Sequence, residues 1–437
     1  MRSLFQLLLL CSLMASAGAA QIGKPPLALP VGEGAENALR GGTRFGRAVL
    51  ALPDLDEDGT PEFAVGAPTW PGGGAVLILS GATRQRLALW QGAERLGSFG
   101  HGLRSMGDVD GDGVVDVLVG REGGHQCELW SPAKARVLRT FSKPFEHVFA
   151  AGDLDGDGLD DQLVTWPTRW SLRAGSTGEL LGSLDPGVGA KELTALEDLD
   201  GDGLLDFLVQ ASAERLLLSA AGEDGLPTYG CEASPVVHDH WGSVFGGRGL
   251  VVDGAASGDL DGDGRSDLVI SCRHRGAAFV AGLSLADRST AIMRTPPSGP
   301  GRDPLAVSRY RFGYELLCPG DLNGDGAGDV IASGAITIFQ VRVAALDAAT
   351  GGELWSADWS DGGATSGVSL ARFADVDGDG AAEVLVGSSD WFWHGVVVPN
   401  GTVRLLSGAT GEPLWVVGER RYRSGGIEAV PDAREKR

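Results

Sequence analysis

The chain has 437 residues, 36 basic against 58 acidic side chains for a formal net charge of −22, 43% hydrophobic residues and 69 glycines. This acidic balance, with no basic stripe, excludes a surface that binds nucleic acid by neutralising phosphates. After the N-terminal segment, no stretch of about 20 apolar residues could span a bilayer as a helix.

In chain order, residues 1–20 read as an export signal. Arg2 supplies the positive end, Leu4 to Met14 the apolar core, and Ala17-Gly18-Ala19 the small-residue cleavage site. The mature protein is therefore expected in a secreted, extracellular or periplasmic location. Residues 21–40 form a lead-in, 41–418 a repeat region, and 419–437 a charged tail of six basic and four acidic residues, expected to be solvated.

The repeat region is built on a nine-residue cassette that begins at Asp54, Asp108, Asp153, Asp198, Asp259, Asp321 and Asp375. Position 3 holds Asp56, Asp110, Asp155, Asp200, Asp261, Asn323 and Asp377, and position 5 holds Asp58, Asp112, Asp157, Asp202, Asp263, Asp325 and Asp379. Position 6 is always glycine, and position 9 is Glu62, Asp116, Asp161, Asp206, Asp267, Asp329 or Glu383. Alternating oxygen donors around a sharp turn match the six to eight oxygens that calcium takes in flexible geometry. The spacing therefore predicts up to seven calcium ions. Seven such ions would bring the chain from −22 to −8, so the acidity is largely metal-site chemistry.

An EF-hand would need a bidentate Glu at position 12. Here position 12 is apolar throughout (Val65, Val119, Val164, Val209, Ile270, Ala332 and Val386), which excludes that reading. The short β-branched runs after each cassette, such as Val114 to Val119, read instead as buried strands. Successive cassettes start 45 to 62 residues apart, room for four short strands. In the last copy these are expected at Val368–Phe373, Ala382–Gly387, Gly401–Ser407 and Pro413–Val417, with a Ser-Gly-Ala-Thr-Gly turn at Ser407 to Gly411 between the third and fourth. Seven four-stranded units predict an all-β fold, a seven-bladed β-propeller with calcium-binding loops.

Phe45-Gly46, the cassette Asp54 to Glu62, and Gly66-Ala67-Pro68 together resemble the FG-GAP (VCBS-type) repeat of integrin α-subunit propellers and of many bacterial secreted proteins. Phe-Gly recurs nine residues before the cassette at Phe99-Gly100 and Phe312-Gly313. The resemblance implies a propeller used for adhesion. A fainter likeness to quinoprotein-type blades, at Leu346 to Gly351 with Trp355, is read as an ordinary outer hairpin packed by its tryptophan.

If the cassettes join first to second strands, the loops joining second to third strands, and unit to unit, emerge on the opposite face. That face carries Trp70, the run His238-Asp239-His240-Trp241 and the run Trp391-Phe392-Trp393-His394. Aromatic platforms beside polar groups grip sugars or partner proteins; the competing reading is that these tryptophans fold back and cap the blades. His238 and His240 are more simply hydrogen-bonded structural residues than ligands or acid-base groups. Cys127, Cys231, Cys272 and Cys318 show no regular spacing that would indicate a disulfide framework.

No linear catalytic motif is present. The expectation is a secreted, monomeric, calcium-stabilised module that binds a carbohydrate or an extracellular protein. An extracellular glycosidase or lyase using loop carboxylates, and a structural cell-envelope scaffold, are the alternatives.

Overall fold

A computed structural model describes residues 43–93, 97–122, 126–142, 147–166, 169–184, 192–197, 199, 206–210, 215–218, 251–274, 277–284, 290–294, 313–337, 340–359, 368–389, 391–393, 396–398, 401–418, 422–423 and 426–427. All of these fall within one compact unit, Gly32–Arg437. The expectations for the export signal, for His238, His240 and Trp241, and for most of the charged tail lie outside the described residues.

Each cassette turns the chain between two antiparallel strands. In the first blade, Val49–Ala51 pairs with Phe63–Ala67, which pairs with Ala75–Leu79, which pairs with Arg86–Gln91. The second blade repeats this with Gly102–Ser105, Val117–Gly120, Gln126–Ser131 and Arg136–Ser142. In the last blade, the strands Val368–Phe373, Glu383–Ser388, Thr402–Leu406 and Pro413–Gly418 fall within a residue or two of their expected limits. Among the described residues every blade is made of strands from a single repeat, so no blade is completed by a strand borrowed from the other end of the chain.

The expected count of seven blades is corrected to six four-stranded blades among the described residues. The sheet of the fourth cassette has three strands there, Glu192–Ala195, Phe207–Gln210 and Arg215–Leu218, and residues 219–250 lie outside the described residues.

The middle strands are buried on both faces, as their uninterrupted apolar sequences require: Phe63–Ala67 and Ala75–Leu79 are buried at every position. The first and last blades pack directly on each other. Phe63 stacks on Trp415 at 5.1 Å between ring centroids and meets Phe373 edge-on at 6.3 Å. On the other side of the first blade, Trp90 stacks on Trp130 of the second at 5.0 Å.

The Phe-Gly pairs explain how consecutive blades interlock. Phe45 and Phe99 are buried at the entry to the innermost strand, and the glycine that follows each adopts a positive φ, +79° at Gly46 and +86° at Gly100. Gly100 packs on the preceding blade, where a Cβ on Gly66 would lie 2.0 Å from its carbonyl oxygen. Gly46 sits in the same way on the last blade, where a Cβ on Gly387 would meet its carbonyl at 2.6 Å. The blade-to-blade joint of the interior is thus reused to bring the first repeat onto the last.

Candidate functional site

The cassettes are built by their own carboxylates. The position 1 acid accepts the backbone N–H groups of the turn: Asp108 accepts from Gly111 at 2.8 Å, Asp112 at 3.1 Å and Gly113 at 2.7 Å. Asp153 and Asp259 hold their turns through the same set of bonds. The position 5 acid accepts the N–H of position 7, as Asp112 does from Val114 at 3.0 Å. The position 9 acid, at the start of the second strand, reaches back to the N–H of position 2. Asp116, Asp161, Asp206 and Asp329 do so at 2.8–2.9 Å, Asp267 at 3.0 Å, and Glu62 and Glu383 make the same bond.

These position 9 acids are the electrostatically costly ones. All seven are buried, with at most 2% exposure. A single buried carboxylate beside several others should hold a proton or attract a cation. Burial, reinforced by the neighbouring cassette acids, pushes Glu62 and Asp116 up to about 7 and Asp267 and Asp329 up to about 6. Glu62 Oε1, Asp116 Oδ1 and Asp329 Oδ1 are buried with no hydrogen-bond partner.

Oxygens of Asp54, Asp56, Asp58 and Glu62 converge within 4.8 Å of one another. So do sets from Asp108, Asp110 and Asp116, from Asp153, Asp155 and Asp161, from Asp259, Asp261 and Asp263, and from Asp375, Asp377 and Asp379. An all-oxygen donor set with orphaned buried carboxylate oxygens fits a hard divalent cation such as calcium. In the sixth copy Asp321, Asn323, Asp325 and Asp329 keep the loop's internal hydrogen bonds. Asp198, Asp200 and Asp202 of the fourth lie outside the described residues.

On the opposite face the expectations fare differently. Trp70 is 6% exposed and belongs to the core between the first and last blades, so there the capping reading holds and the exposed platform does not. Trp170 is fully buried as well. Trp391–Trp393 forms a two-stranded ribbon with Val396–Val398, an insertion between the second and third strands of the last blade. Cys127 and Cys318 are free thiols; burial pushes Cys127 up to about 12 and Cys318 higher still.

What this face gathers instead is a charged cluster around the ends of the innermost strands. Arg44 pairs with Glu122 at 3.2 Å. Arg104 lies 4.3 Å over the Phe149 ring, and Arg47 has a buried Nε with no hydrogen-bond partner. Burial holds both guanidinium groups below their ordinary range, while Glu315, from the sixth repeat, attracts each of them. Burial in turn pushes Glu315 up to about 7, against the pull of Arg47 and Arg104. His101 is driven down to about 4, first by burial and then by Arg47, and is neutral at physiological pH. Arg104 is nevertheless exposed, and Arg47 and Glu315 are partly so, so solvent reaches all three. The cluster was missed in the sequence, although Arg47, His101 and Tyr314 each directly follow a Phe-Gly pair and thus share one register position.

Among known proteins, residues 45–79 match the family described as FG-GAP repeat. The chain is 41% identical over 88 residues to human integrin alpha-10, covering 18% of this chain and 8% of the relative. It is 41% identical over 97 residues to Drosophila melanogaster integrin alpha-PS3, covering 20% of this chain and 9% of that one. It is 34% identical over 126 residues to human integrin alpha-IIb, covering 25% and 12%. The chain thus spans about a tenth of the length of the curated relatives it matches. Among solved structures, the V. cholerae biofilm matrix protein Bap1 aligns with a TM-score of 0.41 at 16% identity, covering 86% of this chain and 80% of that one. The Dos1 propeller aligns with a TM-score of 0.38 at 13% identity, covering 89% and 76%.

Proposed function

From the premise that this chain is an FG-GAP, integrin-α-like β-propeller, we propose that it is an exported, calcium-stabilised binding module whose ligand face lies opposite the cassettes. In this reading residues 1–20 are removed on export, residues 41–418 form the propeller, and the cassettes hold calcium for structure. The observation that carries the proposal is the division between the two faces. Cassette carboxylates hold their own turns, and their oxygens converge where a cation would fit. Arg47 and Arg104, drawn to Glu315 on the opposite side, take part in no cassette turn, and Arg104 is exposed there.

An extracellular protein is the preferred partner, because the relatives that match are integrins by name and because excess guanidinium in a confined mouth selects acidic side chains. The test is capture from arrays of extracellular proteins and of glycans, at about 1 mM calcium, by wild type and by an Arg47→Glu, Arg104→Glu variant. Selective capture of a protein that the variant loses supports the reading. Glycan capture that the variant retains, or blank arrays of both kinds, overturns it.

A further inference from the structure

The second cassette differs from its siblings in two residues of the adjoining outer turn. In this fold the turn between third and fourth strands lies beside the cassette of the same blade. Its fourth residue is Thr83, Thr177, Thr350 or Thr410 in the first, third, sixth and last blades, and Lys134 in the second. Lys134 Nζ sits 2.7 Å from Asp110 Oδ2 and 3.4 Å from Asp112 Oδ2. The turn is fixed in place by Ser131, whose hydroxyl accepts from the Lys134 N–H at 3.1 Å and donates to Asp112 Oδ2 at 3.1 Å.

The second difference is Pro132. At that position Gly175 donates its N–H to Asp161 Oδ1 at 2.8 Å, and Gly408 donates to Glu383 Oε2 at 3.0 Å. Proline has no N–H to give, and Asp116 Oδ1 is buried without a partner, as Glu62 Oε1 and Asp329 Oδ1 also are beside turns with Gly81 and Ala348 at this position. What sets the second cassette apart is therefore the cation that Lys134 supplies to it.

We propose that Lys134 is a tethered counterion for the second cassette, which keeps that loop folded without metal and weakens its affinity for calcium. The inference rests on the calcium reading above. An ammonium group engages Asp110 and Asp112, two of the four acids a calcium ion would need there, and its positive charge within about 4 Å repels a divalent ion. Calcium must displace the side chain to bind. The other cassettes present no such competitor among the described residues.

The experiment compares calcium isotherms, by equilibrium dialysis with elemental analysis, for wild type, Lys134→Thr, Lys134→Arg, and Lys134→Thr combined with Asp116→Asn. Lys134→Thr is expected to tighten the second cassette by about tenfold, so that it binds one more ion per chain at a free calcium concentration that leaves that site empty in wild type. Lys134→Arg should follow wild type, and adding Asp116→Asn should abolish the gain and so place it in this cassette. Melting in excess chelator is the second readout, where Lys134→Thr should lie below wild type because the counterion is gone. Saturable isotherms that superimpose for wild type and Lys134→Thr overturn the proposal and leave the calcium reading intact. Flat isotherms for every protein overturn both.

Discussion

The joint between the first and last blades is where one side chain carries the most. Phe63 is fully buried, stacked on Trp415 and edge-on to Phe373. Phe63→Ala removes a ring whose truncation in a core costs about 3–5 kcal/mol. Part of that cost is geometric, since an aromatic pair contributes about 0.5–1.5 kcal/mol beyond the area it buries. A double-mutant cycle isolates this part: Phe63→Leu and Trp415→Leu, singly and together, keep the joint apolar and remove only the ring pairing. Because the two residues lie in blades at opposite ends of the sequence, a coupling between them reports packing of first blade on last and not local strand pairing. Urea denaturation followed by tryptophan fluorescence and, independently, by far-ultraviolet circular dichroism should give a coupling of about 1 kcal/mol. Additivity to within about 0.3 kcal/mol would refute the closure of the first blade onto the last through these rings.

Three further outcomes follow from the geometry. Stripping calcium should lower the melting temperature by on the order of tens of degrees, since a site half-saturated at one-tenth of the free calcium contributes about 1.4 kcal/mol and up to seven such sites rival the whole stability of a domain; an unchanged melt in excess EDTA refutes structural calcium. For Glu315, burial raises the folded-state value from 4.5 to about 7, so the folded state binds the proton more tightly than the unfolded state does. Its penalty is absent below about 4.5, grows through the interval and is complete above about 7. Glu315→Gln should therefore be more stable than wild type at pH 8, by at most about 3 kcal/mol, with the difference vanishing near pH 4, and a pH-independent difference in urea midpoints refutes this. Cys127 and Cys318, whose thiols burial pushes far above their ordinary value, should resist Ellman's reagent in the native protein and react on unfolding; rapid modification of both at pH 8 would refute their burial.

The parts of the fold legible in the sequence are those set by local chemistry. The cassette is a self-contained hydrogen-bonded turn, in which Asp108 alone accepts three N–H groups from residues three to five positions on, so its residue types appear at fixed spacing. The strand limits of the last repeat were readable for the same reason: an apolar run between two turn signals has few alternatives. What was hidden depends on residues far apart in sequence. Trp70 read either as a platform or as a cap on the blades, and its burial in a core cluster shared with last-blade residues more than 300 positions away decides for the cap. The fourth sheet, three-stranded among the described residues, was hidden by its cassette, which predicts the two inner strands and says nothing about the outer ones. The charged mouth was hidden because Arg47, Arg104 and Glu315 meet only when inner strands from three repeats converge.

The cassette side and the opposite face also differ in how they join neighbouring blades. On the cassette side the loops touch one another: Asp108 donates its N–H to Asp160 Oδ2 of the third cassette at 3.2 Å, and Asp160 returns its N–H to the Asp108 carbonyl at 3.3 Å. Between the fourth and fifth repeats, Glu197 donates its N–H to Ser257 Oγ at 2.7 Å. A cation that fixed one of these cassettes would therefore stiffen its neighbour at these two junctions. At the other mouth, blades meet through buried Phe-Gly joints and long, partly solvated arginines, which can change rotamer without breaking a strand. In the proposed function, calcium would set the angles between blades from one rim, while the charged groups proposed to meet a partner on the other keep rotamer freedom. A tethered ammonium in the second cassette would keep one segment of that rim folded when calcium falls, so the first three blades should hold together after the rest have loosened. Hydrogen exchange in chelator is the direct measure: Val117–Gly120 should stay protected while Glu383–Ser388 exchanges, and equal loss of protection in both strands would deny Lys134 this role.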